Sequence, residues 1–273
     1  MITIISGGTQ GLGEAVACRL HDRGLADGLV LTGRSVDRGE ALAAELSAAG
    51  SPTLFLSSDA SDPAMPGEVV GACLDRFGRV DGLVNVAALT TRATLFDDTP
   101  EHVDHMFAVN VKAPYFLVQA AARAMVEQGD GGSIVNVGSV AGHGGAPKLT
   151  AYAMSKAALS VMTRNLAFGL LPHGVRINQV NPGWMETESE HHIQITEDGA
   201  PDDWLVAANA SRPLGRLVQP WEVANAIVFC LSPESGCLTG NSIDVDQTVL
   251  GAGEPPAPSI TTAIPVPGSD TLS

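Results

Sequence analysis

The sequence predicts an α/β protein: one doubly wound parallel sheet of about seven strands, with helices on both faces. Three observations predict it. Short β-branched runs alternate with helix-length segments from the first residue to about residue 250. A glycine-rich turn joins the first such run to the first helical segment. No internal repeat and no boundary interrupts the chain before Gly253, and 45% hydrophobic residues among 273 are ample for a single core. Residues 1–253 therefore read as one domain, and the Pro-rich stretch 254–273 as a tail that a neighbouring subunit would have to hold in place.

The elements follow in order. Residues 1–5 form a buried strand that opens into Ser6-Gly7-Gly8-Thr9-Gln10-Gly11-Leu12-Gly13, with a helix over 14–23. Glycines at 7, 11 and 13 permit a sharp turn and let a pyrophosphate approach the helix N-terminus, which makes the fold Rossmann-like. Residues 29–32 form the second strand, ending in Gly33-Arg34-Ser35. About twenty residues past the glycines an acidic side chain would hold the ribose of NAD. Arg34 stands there instead. With Ser35 capping a helix that runs to about 49, and Arg38 one turn in, it makes a site for a 2′-phosphate. The plain alternative is a solvated loop arginine.

Residues 53–57 form a third strand with Asp59 and Ala60 just past it, and a helix follows over 63–77. A fourth strand at 80–84 leads into Asn85-Val86-Ala87-Ala88. Thr99 caps a long helix with Pro100 at its first position. Asn110 and Pro114 lie inside that helix, and the proline ring predicts a kink that frees the Asn110 carbonyl. The fifth strand, 133–137, delivers Ser139 at its C-terminal end, and a helix runs over 152–171. The sixth strand, 175–180, ends in Asn181-Pro182-Gly183; an irregular acidic segment, 184–210, follows it. A helix at 220–231 and a strand at 242–245 complete the set.

Composition excludes several function classes. A net charge of −15 disfavours nucleic acid and anionic membranes as partners, and its plain meaning is solubility. No apolar run reaches a membrane span, and no basic region precedes an apolar stretch at the start, so neither a membrane anchor nor a signal peptide is expected. The four cysteines lack a Cys-x-x-Cys spacing and read as reduced thiols of a cytoplasmic protein. His102-x-x-His105 and His191-His192 lack a third ligand of the usual kind, and no metal is expected.

The chemistry concentrates at Ser139, Tyr152 and Lys156. Four residues make one helical turn, so Tyr152 and Lys156 share a face. A free phenol titrates at about 10, and a cation one turn away favours the phenolate, moving it toward the working pH of an acid–base catalyst. Ser139 is a hydroxyl placed to hold a substrate oxygen beside it.

These motifs resemble the short-chain dehydrogenase/reductase family over roughly residues 2–250. The glycine turn at 7–13, Asp59, and Asn110, Ser139, Tyr152 and Lys156 in that order all match. So does Pro182-Gly183-x-x-x-Thr187, with Met185 inside it. Asn85-Val86-Ala87-Ala88 departs from the family's usual Asn-Asn-Ala-Gly. Asp244-Val245-Asp246-Gln247 departs from its frequent Val-Asp-Gly-Gly. The resemblance implies hydride transfer between NAD(P) and a secondary alcohol or ketone. In it Tyr152 moves the proton, Ser139 holds the reacting oxygen, and Lys156 binds the nicotinamide ribose and lowers the Tyr152 pKa. Asn110 would hold a relay water. Arg34 makes NADP the expected cofactor, with NAD the alternative; Gln10 stands where many NADP-using relatives carry a basic residue. A homo-oligomer, tetramer or dimer, is implied in the same way.

The segment 184–210 then falls where a substrate lid would be, with Trp184 and His143 as further substrate contacts. It carries many carboxylates, few apolar side chains, and no Lys or Arg. That favours a small polar, neutral or cationic hydroxyl compound, such as a sugar, polyol or amino alcohol, over a fatty or acidic one. Two other readings stand beside it: a dinucleotide-binding regulator without catalysis, and a reductase of a hydrophobic ketone.

Overall fold

Ile4 and Ile5 are both fully buried, although successive strand side chains point to opposite faces of a sheet. The sheet is therefore covered on both sides, as a parallel sheet requires. The computed structural model describes residues 1–249, so the boundary at Gly253 and the tail 254–273 lie outside the described residues. The strands are β1 (Ile2–Ser6), β2 (Gly28–Gly33), β3 (Thr53–Ser57), β4 (Gly82–Asn85), β5 (Gly132–Val137), β6 (Val175–Pro182) and β7 (Ser242–Val245). They form one sheet in the order β3-β2-β1-β4-β5-β6-β7, with every pairing parallel.

The helices between them are α1 (Gly11–Asp22), α2 (Val36–Ala48), α3 (Met65–Phe77), α4 (Pro100–Phe107), α5 (Ala113–Gln128) and α6 (Thr150–Leu170). After β6 come α7 (Glu188–Thr196), α8 (Trp204–Ala210) and α9 (Pro220–Leu231). On one face α1, α2 and α9 pack over Ile5, Leu29, Leu31, Val135 and Val180. On the other, α3 and α5 pack over Ile4, Val30, Leu83, Ile134 and Ile177.

The strand order reverses direction between β1 and β4. Ser6 pairs with Thr32 of β2 and with Asn85 of β4, and Asn85 pairs with Asn136 of β5. The carboxyl ends of these strands thus lie level, and the loops leaving them diverge at the reversal. A crevice at that place is where an open α/β sheet takes its ligand.

The expected long helix over Asn110 and Pro114 is broken into three. Ala108–Lys112 is a π turn between α4 and α5, in which the Ala113 N–H reaches back to the Ala108 carbonyl. Pro114 has no N–H to give the Asn110 carbonyl, so the predicted kink takes this form. Thr99 does cap α4, its hydroxyl accepting from the His102 N–H at 3.2 Å. The segment 184–210 is not irregular. Thr187 caps α7 by accepting from the Glu190 N–H at 3.1 Å. The sparse apolar residues of this region converge: Trp204, Ala208 and Leu217 are buried together, with Trp184 and Ile195 against them. Among the described residues no helix is long and apolar enough to cross a membrane.

Candidate active site

The crevice at the strand reversal is a cavity of about 410 Å³. Its floor is the turn after β1, and the turn shows why glycine is needed there. A Cβ on Gly7, whose φ is +77°, would lie 2.7 Å from the Ala87 backbone nitrogen. A Cβ on Gly13 would lie 2.0 Å from the Gly7 carbonyl oxygen. Gly13 therefore sits beneath the turn, outside the cavity, and lets α1 start close to it. Gln10 stands at the N-cap of α1 but makes no side-chain cap bond. The first-turn N–H groups behind Thr9, Gly11 and Leu12 are thus left for an anion. These features fit the pyrophosphate of a dinucleotide.

At one end of the cavity lie Arg34, Ser35, Asp59 and Ala60. Asp59 accepts from the Ser61 N–H and hydroxyl, both at 2.8 Å, and with Arg34 nearby its carboxyl is held below its usual range. Two expectations are corrected here. Ser35 occupies the N-cap of α2 but makes no cap bond. Arg38 does not turn to this end. It pairs with Glu188 at the start of α7, at 2.7 Å and 2.9 Å, and donates to the Gln10 side chain at 2.8 Å. A carboxylate already neutralises it.

At the other end lie Ser139, Tyr152, Lys156, Pro182, Gly183, Met185 and Thr187, with Ala87 opposite. Ser139 caps a short turn, accepting from the Ala141 N–H at 3.1 Å. Lys156 is buried and donates to the Val137 carbonyl at 2.8 Å. Its ammonium lies 5.6 Å from the centre of the Tyr152 ring, over the face. Burial pushes the phenol up to about 12, the Ser139 contact pulls it down, and the Glu190 charge pushes it up. Burial also brings Lys156 down to about 8. The expected net depression of the Tyr152 pKa is thus not found: the ammonium lies over the ring while donating to the end of β5, and desolvation is the largest influence on the phenol.

Four other expected site residues do not line this cavity. Asn85 donates to Asn136 at 2.8 Å, and Asn136 to Thr163 at 2.9 Å, a buried ladder tying the sheet to α6. The Asn110 side chain is fully buried. Its oxygen accepts from the Leu89 N–H at 2.7 Å, and its amide donates to Ser155 at 3.0 Å. It braces the loop after β4 against α6. Gly13 lies beneath the turn, against the Gly7 carbonyl. His143, expected at the substrate, lies beside Asp244 at 3.0 Å. Of the other histidines, His102 sits between Thr91 and Asp98, and His191 accepts from Trp204 at 2.9 Å.

A second cavity, of about 630 Å³, adjoins the first at Ser139 and Tyr152. Val140, Pro147, Leu149 and Met185 give it apolar walls, and Trp184 lines it as expected. Its far wall is polar. Arg92, from the loop after β4, pairs with Glu190 at 3.0 Å and with Asp198. Lys148 reaches the same cavity. The segment 184–210 itself supplies no cation, but the cavity it covers holds two. Arg92, Glu190 and Asp198 escaped sequence reasoning because the partners lie about a hundred residues apart, and no local pattern joins them. The carboxylate-rich run itself was the one signal available.

A family described as enoyl-(acyl carrier protein) reductase matches residues 7–248. An L-rhamnose 1-dehydrogenase (NAD(P)(+)) of Sphingomonas sp. is 33% identical over 243 residues, 89% of this chain and 93% of that protein. A protein of Armillaria gallica described as a short-chain dehydrogenase/reductase is 31% identical over 251 residues, 91% and 95% of the two chains. Among solved structures, an actinorhodin polyketide ketoreductase variant with NADPH matches with a TM-score of 0.84 at 26% identity, covering 90% and 95%.

Proposed function

The chain belongs to the short-chain dehydrogenase/reductase family and is a nicotinamide-dependent oxidoreductase acting on alcohol and ketone groups; we propose that it uses NADP and a small, neutral, polyol- or sugar-like substrate. Bound in the crevice, the nicotinamide supplies or accepts the hydride. The chain's own residues orient and move the proton. Ser139 holds the reacting oxygen. Tyr152, whose phenol keeps its proton well above neutral pH, hands that proton to the oxygen as a carbonyl is reduced, and takes it back in the reverse direction. Lys156 contacts the nicotinamide ribose. Residues 184–210 form the lid of a single domain.

The observation that carries the substrate reading is the far wall of the second cavity. Arg92, Lys148, Glu190 and Asp198 all line this cavity, so the formal charges balance. Arg92 is already paired twice, which leaves a carboxylate-bearing substrate little to gain. Hydroxyl groups both donate and accept, and suit such a wall. The L-rhamnose 1-dehydrogenase relative acts on a molecule of this kind. Comparing kcat/KM across sugars, polyols, fatty alcohols and hydroxy acids at fixed cofactor tests the reading. Sugars or polyols are expected to lead, and a clear lead for fatty or acidic substrates would overturn it.

For the cofactor, Arg34 and the uncapped start of α2 support NADP, since they leave a charged donor and free N–H groups beside the ribose end. A charged hydrogen bond to phosphate contributes about 2 kcal/mol, on the order of thirtyfold in kcat/KM. Arg34→Ala is expected to erase an NADP preference of that size. Wild-type preference for NAD, or an unchanged preference in the variant, would sink the assignment.

A homo-oligomer, tetramer or dimer, is supported by exposed apolar side chains along α5 and α6: Tyr115, Phe116, Met154, Val161 and Phe168. Sedimentation showing only monomer at micromolar concentration would contradict it.

A further inference from the structure

Glu190 stands in the first turn of α7 and lines the second cavity together with Ser139 and Tyr152. Three donors converge on one of its oxygens. Oε1 accepts from Arg92 Nη2 at 3.0 Å, from Trp184 Nε1 at 2.8 Å and from Gln194 Nε2 at 2.8 Å. Among the described residues no donor reaches Oε2. The side chain is 16% exposed, so the three bonds hold the carboxylate in one place while Oε2 stays open to the cavity. A carboxylate oxygen so placed accepts from a donor group that enters the cavity.

The chemical class of the missing donor follows. The reacting oxygen is taken by Tyr152 and Ser139, so the donor is another group of the same substrate. Arg92 and Lys148 already balance Glu190 and Asp198, so the cavity carries no net charge to draw an ammonium, and a neutral hydroxyl suits Oε2. The smallest substrate that offers both a reacting oxygen and a second hydroxyl is a vicinal diol. We propose that Glu190 Oε2 accepts a hydrogen bond from a hydroxyl vicinal to the reacting one, and so selects vicinal diols and their α-hydroxy ketones over simple secondary alcohols. This rests on the polyol reading and sharpens it: sugars would enter as diols, read at two neighbouring carbons.

The test uses the full-length enzyme with saturating cofactor and two alcohols of one skeleton, butane-2,3-diol and butan-2-ol. Hydrogen bonds to a charged acceptor rank among the strong ones, so the wild-type ratio of kcat/KM is expected to favour the diol at least tenfold. Glu190→Gln keeps the shape and an oxygen for the three N–H donors but removes the charge, leaving at best an ordinary hydrogen bond from its amide to the hydroxyl, and the ratio is expected to fall several-fold. A wild-type ratio near one needs no variant to overturn the proposal. Equal losses on both alcohols, or an unchanged ratio in Glu190→Gln, overturn it as well, as does a preference for 1-aminopropan-2-ol over the diol. Absence of sugar turnover alongside an intact diol ratio would instead defeat the sugar and polyol reading and leave this one standing.

Discussion

Tyr152→Phe is expected to lower kcat on the order of a thousandfold while cofactor affinity stays near that of the wild type, since positioned acid–base groups contribute about 10²–10⁴. The ring survives, and with it the face over which Lys156 lies at 5.6 Å. Only the hydroxyl that meets Ser139 is removed. A phenol pushed up to about 12 is protonated at neutral pH, so in the direction of carbonyl reduction the wild type has its proton in place. The variant has none to give. Steady-state rates in both directions with a cofactor titration check this, and a residual rate within tenfold of wild type would remove Tyr152 from the proton step.

Lys156→Met is expected to abolish turnover to a similar degree and, unlike Tyr152→Phe, to make the cofactor-free protein more stable at pH 7. Burial lowers the lysine from 10.5 to about 8. The unfolded chain therefore binds one more proton than the folded one between those values, and wild-type stability rises with pH across that window. Below about pH 8 the buried charge imposes its full penalty, about 3 kcal/mol for such a shift. The buried Val137 carbonyl, left without its donor, takes back about 1–3 kcal/mol of that gain, so a net stabilisation of at most about 2 kcal/mol is expected. Urea unfolding at pH 7 and near pH 10 checks the sign: the advantage of the variant should shrink or reverse at the higher pH. A variant less stable than wild type at pH 7 would show that the ammonium is well solvated where it lies.

Much of the fold could be read directly from the chain because strand and helix periods are local. The runs at 1–5, 29–32 and 133–137 fall within a residue of β1, β2 and β5, and the strand at 242–245 coincides with β7. The glycine turn is legible for the same reason: positive φ at Gly7 and Gly11 and the contact between Gly13 and Gly7 involve residues close in sequence. Ser139, Tyr152 and Lys156 are recognisable because one follows a strand end and the others are one turn apart.

Tertiary structure decided which charges remain available. Arg38 looked like a phosphate ligand from its place in α2, but Glu188, 150 residues later, takes it. Lys156 looked poised to lower the phenol's pKa and does lie over the ring, but it donates to a carbonyl at the end of β5, and burial of the phenol raises its pKa instead. His143 follows Ser139 closely, yet β7 brings Asp244 to it across 101 residues. The segment 184–210 looked unstructured because its apolar residues are widely spaced; only the packing of Trp184 on Trp204, with ring centres 5.9 Å apart, gives them a common core. In each case the deciding partner is distant in the chain and near in space. The amino-acid order fixes which groups are present and how each segment turns locally. Which charge meets which partner, and which oxygen is left facing the cavity, is set by how those segments pack, and the energy of a charge depends on its partner and its desolvation.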